Sequence, residues 1–150
     1  MIGPSWREPA WFARPAHRLP FLAALKAAGA APRPIRPPRV YRGGFALRCT
    51  IIPAGLDRRT VTIVFGCGSP EVPRVFVDGP TDSPHRYDDG SLCMWYPYDP
   101  PERQWQRRDG PVVLLGHIAS HLIREAWWRR TGEWVGDEAP HRALDRQETL

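Results

Sequence analysis

Proline decides where regular structure can run in this chain. Eighteen of the 150 residues are proline. Each removes a backbone donor and locks φ, so helix interiors and central strands accommodate one only at a cost. The prolines gather in residues 1–20 and 32–38, the second segment reading Pro32-Arg-Pro-Ile-Arg-Pro-Pro38. Both segments read as extended arms or linkers. The apolar periodicity lies between and after them.

Residues 19–28 are rich in Leu and Ala, with Pro20 at a helix-opening position and Gly29 at the end. A short first helix is expected there, with Phe21, Leu22 and Leu25 as its buried stripe. Residues 40–52 switch to a period of two, with Phe45, Leu47, Cys49 and Ile51 on one face and Arg48 and Thr50 on the other, the pattern of a half-buried strand. After a turn at residues 55–59, Val61, Ile63, Phe65 and Cys67 alternate with Thr60, Thr62 and Val64 in a second, antiparallel strand. Residues 74–77 make a shorter third strand, broken at Asp78-Gly79-Pro80. Asp109-Gly110-Pro111 signals a second helix over 112–130, with Leu115, Ile118, Ala119, Leu122, Ala126 and Trp127 at helical spacing. The length suits one domain over 1–150, with residues 1–16 a proline-rich arm and 142–150 a loose tail.

Net charge is +5, and Lys26 is the only lysine among 21 basic residues. The arginines are spread along the chain and alternate with acids, which argues against a nucleic-acid binder built on a basic run. Cys49, Cys67 and Cys93 are odd in number and widely spaced, so neither a disulfide framework nor a zinc site is suggested, and reduced thiols are expected. Cys49 and Cys67 lie on apolar strand faces and read as core residues. No signal peptide or apolar window of membrane-spanning length occurs, so a cytoplasmic protein without membrane association is expected. His117 and His121 have an i, i+4 spacing on the second helix, but no acid of a His-Glu-x-x-His motif and no third ligand accompany them. A helix face, not a metal site, is the expectation. The many tryptophans, among them Trp95, Trp105 and Trp134, read as core packing.

Residues 79–111 carry no long periodic run but many Gly, Pro, Asp and aromatic residues, so an ordered functional loop is expected. Within it stands Ser83-Pro-His-Arg-Tyr-Asp-Asp-Gly-Ser-Leu-Cys93, a thiol just past an Asp-Gly turn. This segment resembles the active-site loop of the ubiquitin-conjugating enzymes. Ser83-Pro84-His85 stands where that family has His-Pro-Asn, Tyr87 at its aromatic position, Gly90 at its glycine and Cys93 at its cysteine. Tyr41-Arg-Gly-Gly44 is similar to the Tyr-x-Gly-Gly that opens the family's meander, and Pro73-Arg-Val-Phe76 to its Pro-x-Val-x-Phe strand. Trp105 and the helix from Val112 are similar to the Trp-x-Pro and helix that the family carries after its cysteine. The likeness runs over about residues 17–131. The main departure is His85 in place of the asparagine, as in bacterial relatives with a His-x-Tyr-x-x-Gly-x-Leu-Cys pattern.

The resemblance implies an α+β fold: an N-terminal helix, an antiparallel β-meander, an active-site loop and a C-terminal helix. It implies that Cys93 carries an activated protein C-terminus as a thioester and transfers it to an amine. His85 becomes a candidate oxyanion donor, or an organiser of the loop. Arg86 is expected to favour the thiolate, and Asp88, Asp89 and Asp99 are candidates, by proximity alone, to help deprotonate the amine. His141 is a further residue that a returning chain could bring near Cys93. No cofactor is expected. The implied partners are a ubiquitin-activating-like enzyme and, as cargo, a cGAS-like nucleotidyltransferase or a ubiquitin-like protein, in an antiphage CBASS operon or a bacterial ubiquitin-like conjugation operon. The rival reading is a binding module of the same fold that has lost catalysis.

Overall fold

Both helices start on a proline. In the computed structural model, which describes residues 9–95 and 99–136, α1 spans Pro15–Ala27 and α2 spans Pro111–Thr131, each with Pro in its first turn. There the missing N–H costs nothing and the fixed φ is already helical. Helix α1 therefore opens earlier than expected, and Pro20 lies inside it on the exposed side. Helix α2 ends at Gly132, whose φ of 77° lets its amide reach the Trp128 carbonyl at 2.7 Å.

Between the helices runs a four-stranded antiparallel meander, β1 (Arg33–Ile35), β2 (Phe45–Ile51), β3 (Arg59–Gly66) and β4 (Ser69–Val77), in that spatial order. Its register sets Phe45 opposite Phe65, Leu47 opposite Ile63 and Cys49 opposite Val61, while Val75 and Val77 face Ile63 and Val61 from β4. The inward row packs against Phe21 and Leu25 of α1 and Leu114, Ile118 and Leu122 of α2, with Trp105 fully buried among them.

Several expectations change. Strand β1 falls inside the proline segment read as a linker: Pro34 pairs with Leu47 at the sheet edge, where its missing donor breaks no ladder. Strand β4 starts at Ser69, well before residue 74, because the β3–β4 hairpin carries a register shift between Val64 and Gly66. Cys67 falls in the turn between β3 and β4, off the apolar face. It is exposed, with its Sγ 3.0 Å from the Gly43 carbonyl. Residues 9–16 are not an arm, for Trp11 and Phe12 are buried. Trp11 meets Phe65 edge-on at 5.0 Å and donates its indole N–H to the Pro70 carbonyl at 2.7 Å, so its large apolar ring is buried with its one polar atom satisfied. Residues 1–8 and the tail at 142–150 lie outside the described residues.

Gly44 shows why the Tyr-x-Gly-Gly segment has this composition. Its amide closes a turn onto the Tyr41 carbonyl at 2.8 Å, and a Cβ there would collide with the Phe65 carbonyl oxygen of β3. Gly44→Ala is expected to lower stability by about 1–3 kcal/mol, the range for forcing atoms into packed space. Gly116→Ala, in open space on α2, is expected to raise it by about 0.5–1 kcal/mol. Denaturant titration of both variants checks the contrast.

Candidate active site

Residues 83–95 form a miniature hairpin pinned to the sheet edge. Gly90, at φ 86°, donates its amide to the Tyr87 carbonyl at 2.8 Å, and Tyr87 donates to the Ser91 carbonyl at 2.9 Å. Asp89 closes the turn by accepting from the Ser91 amide at 2.9 Å and the Ser91 hydroxyl at 2.5 Å. Arg86 and Leu92 then pair as an antiparallel bridge, and the Cys93 amide donates to the His85 carbonyl at 3.0 Å. A bond from the Leu92 amide to the Val75 carbonyl, 2.9 Å, ties the hairpin to β4. His85 and Cys93 are thus neighbours across the hairpin.

The hairpin's other anchor is α2. Glu125, fully buried, accepts from Arg86 Nε at 2.5 Å and Arg86 Nη2 at 2.9 Å, and from the Ser83 hydroxyl at 2.8 Å. His121 Nε2 stands 3.4 Å from the same carboxylate, and Arg129 Nη2 3.5 Å. Arg86 also donates to the Gly90 carbonyl at 2.8 Å and the Pro80 carbonyl at 3.3 Å, so its fork is spent within the loop and on Glu125. Burial alone would raise the Glu125 carboxyl. The approach of the His121 ring, the Arg86 hydrogen bonds and charge, and the Ser83 hydroxyl outweigh it and hold the carboxyl far below the usual range.

Cys93 is only 5% exposed. Its Sγ lies 3.9 Å from the Trp95 carbonyl oxygen, and the Tyr87 hydroxyl donates to that same oxygen at 3.2 Å. The two side chains thus meet at one carbonyl oxygen. The Arg74 guanidinium lies over the Tyr87 ring, 4.4 Å from its centroid, and donates to the Ser91 hydroxyl at 3.3 Å. Burial pushes the Cys93 thiol above its ordinary value, while the Tyr87 hydroxyl and the Arg74 charge pull it back. Burial and the neighbouring cysteine push the Tyr87 phenol up, so it stays protonated and able to donate.

A family model described as Type II CBASS E2 protein matches residues 36–142. The chain belongs to this family. Among curated proteins and among solved structures, no match was found. The match spans β2, β3, β4, the Cys93 hairpin and α2, the elements that build the site.

In this E2-like protein some site residues stand where the sequence placed them and others do not. His85 is buried, and its ring faces Trp134 with centroids 4.2 Å apart. Arg86, expected to favour the thiolate, is instead the structural partner of Glu125. The charge that favours the Cys93 thiolate is that of Arg74, which lies over the Tyr87 ring. Asp88 is exposed, and Asp89 is spent on Ser91, whose hydrogen bonds hold it below the usual carboxylate range although burial opposes them. Asp99 comes just after residues 96–98, which lie outside the described residues, and its carbonyl accepts from Gln104 at 2.9 Å. His141 also lies outside the described residues. His117 and His121 part company: His117 is exposed against Trp95, and His121 is buried on Glu125. Among the described residues no group of three or more His, Cys, Asp or Glu side chains could hold a metal ion, and no helix is long and apolar enough to cross a membrane.

Sequence reasoning missed Arg74, His121, Glu125 and Trp134. It also set the buried stripe of α2 too far round: the buried residues are Leu114, Ile118, His121, Leu122 and Glu125, and Trp127 is 43% exposed. The available signal was a carboxylate seven residues after Ile118, on the apolar face of an amphipathic pattern, which demands a buried partner. Glu125→Ala, leaving Arg86 buried and unpaired, is expected to cost about 3–5 kcal/mol. The Glu125 carboxyl is lowered in the folded state. Its contribution is therefore complete above the unfolded value near ~4.3 and fades as pH falls below it. Thermal unfolding from pH 7 to pH 3 should show a steeper acid loss in the native protein than in Glu125→Gln.

Proposed function

We propose that this protein takes an activated protein C-terminus onto Cys93 as a thioester and passes it to an amine, as one step of an antiphage relay in the cytoplasm. The observation that carries the reading is the Cys93 hairpin. Its thiol is held at the end of a tight turn, its amide is bonded to the His85 carbonyl, and its sulfur shares the Trp95 carbonyl oxygen with the Tyr87 hydroxyl. Membership of the type II CBASS E2 proteins supports the partners: an adenylating, E1-like enzyme as donor, and the C-terminus of a cGAS-like nucleotidyltransferase as cargo, with a ubiquitin-like protein as the other cargo of this chemistry.

In capture, the Cys93 proton leaves to solvent base and the thiolate adds to the donor thioester carbonyl. The new Sγ–carbon bond forms as the donor's carbon–sulfur bond breaks, and the departing thiolate recovers a proton. In discharge, a neutral amine adds to the same carbonyl, the nitrogen–carbon bond forms as the carbon–Sγ bond breaks, the nitrogen gives its extra proton to solvent base, and Cys93 leaves as thiolate. Each tetrahedral stage places charge on oxygen, where one well-placed donor is worth about 3 kcal/mol. His85 is our candidate for that donor. Packing on Trp134 limits its ring to few orientations, which serves a donor and a loop organiser alike.

One observation favours the rival reading of a non-catalytic binding module: Cys93 is almost covered, and burial raises its thiol. Intact mass and non-reducing gels of the protein co-expressed with its operon neighbours decide between them. A thiol-labile adduct on the native protein, lost in Cys93→Ala and replaced by a thiol-stable ester in Cys93→Ser, is the expected result. An adduct that survives Cys93→Ala, or none beside an active donor enzyme, establishes the binding module. His85→Ala is expected to slow discharge to lysine about tenfold to a thousandfold while capture persists.

A further inference from the structure

Arg86, the cation nearest Cys93 in sequence, has its guanidinium fully engaged by Glu125 and two loop carbonyls. A second cation, Arg74, comes from β4, nineteen residues upstream of Cys93, and lies over the ring of Tyr87, whose hydroxyl shares an acceptor with the sulfur. Arg74 covers the Tyr87 ring at 4.4 Å and is tethered through Nη1 to the Ser91 hydroxyl at 3.3 Å. Ser91 is itself held by Asp89. The Tyr87 hydroxyl and the Cys93 sulfur converge on one acceptor, the Trp95 carbonyl oxygen, at 3.2 and 3.9 Å. A tyrosine so placed can turn its proton from that carbonyl to the sulfur without moving its ring.

We propose that Arg74 and Tyr87 together activate Cys93, with Tyr87 the catalytic donor to the thiolate and Arg74 the positioning residue that clamps the Tyr87 ring and adds positive charge beside it. This rests on the reading that Cys93 is the nucleophile. A thiol taken out of water disfavours its charged form, and the thiolate is the species that attacks and leaves. A hydroxyl donor and a nearby cation are what a covered thiol needs to ionise. A cation stacked on a ring also strengthens the hydroxyl as a donor, because it draws charge toward the ring face.

The other ionisable groups facing this sulfur are few among the described residues. Tyr87 and Arg74 act on it directly; of the groups packed around them, Asp89 acts on Tyr87, His85 turns its ring to Trp134, and His117 of α2 packs on Trp95. Asp89 acts on Tyr87 with the sign opposite to Arg74. Its carboxylate is held by Ser91, the residue that Arg74 also grips, so the turn keeps the two charges in fixed places.

The test is the pH dependence of iodoacetamide alkylation at Cys93, read by peptide mass mapping in the full chain. Cys67, exposed, is the internal reference, and Cys49, buried with its thiol pushed up to about 11 by burial, reports whether the fold persists. In Arg74→Gln the Cys93 profile is expected to move to higher pH, with the rate at pH 7.5 falling about three- to tenfold, since a titration midpoint one pH higher leaves about a tenth of the thiolate. Tyr87→Phe should move it the same way, Arg74→Lys should restore most of the loss, and the double variant should lose no more than the worse single variant, as expected of two residues acting together. The Cys67 profile should stay fixed and Cys49 should stay protected. A Cys93 profile unmoved in Arg74→Gln or Tyr87→Phe overturns the proposal. So does a change in rate at all pH values with an unmoved midpoint, which marks altered access alone. Alkylation needs no cargo. If adduct formation fails while the profiles shift, the thioester reading falls and the activation of Cys93 stands; if adducts form and the profiles coincide, the reverse holds.

Discussion

The buried ion pair between Arg86 and Glu125 is the contact on which the site depends. A carboxylate with no exposure on the inner face of α2 is untenable without partners, because desolvation of an isolated charge exceeds any local gain. Here Arg86 meets it with two nitrogens, and Ser83 adds a hydroxyl. The consequence is geometric more than energetic. A loop without regular structure acquires a fixed position against the longest helix, and Cys93 inherits that position through the backbone bonds between residues 85 and 93. Arg129 extends the network to Asp82 at 2.9 Å, so both flanks of the Ser83-Pro84 step are held.

Spending Arg86 on structure changes the electrostatics around the sulfur. Ion pairs saturate the guanidinium, and a neutralised pair contributes little field at a distance. The sheet edge supplies the remaining cation, Arg74, whose neighbours Val75 and Val77 point into the core while it faces the hairpin. The alternation of a strand thus serves two ends: every second residue of β4 builds the core, and one residue between them reaches the site.

The segment after α2 closes the far side. Gly132 reverses the chain in the left-handed region, and the Thr131 hydroxyl accepts from the Glu133 amide at 3.1 Å. Trp134 is thereby laid against His85 and His121, at 4.2 and 5.3 Å between ring centroids. The His85 ring is thus packed between the hairpin and the returning chain.

Much of this was legible in the residues themselves. Period-two alternation identified the inward rows of β2 and β3, the Asp-Gly pair located the turn before Cys93, and Pro111 with Gly132 marked the ends of α2 closely. These features arise from local backbone preferences and amphipathic spacing, which a single sequence carries. Other features depend on what lies opposite. Nothing local distinguishes Trp11 in a proline-rich stretch from a residue in an arm; its burial is decided by the Phe45–Phe65 surface it meets. Cys67 continues the alternation of β3 in the sequence, but the strand ends at Gly66 and Cys67 falls in the exposed turn to β4. Arg86 beside a cysteine reads as an activating charge until Glu125, 39 residues away, claims it. Sequence by itself determined the family, the two helices, the central strands and the nucleophile candidate, because those rest on short-range pattern. Only the tertiary structure decided which arginine holds the loop and which one faces the sulfur, because the pairing of charges is settled by distances that no spacing along the chain encodes.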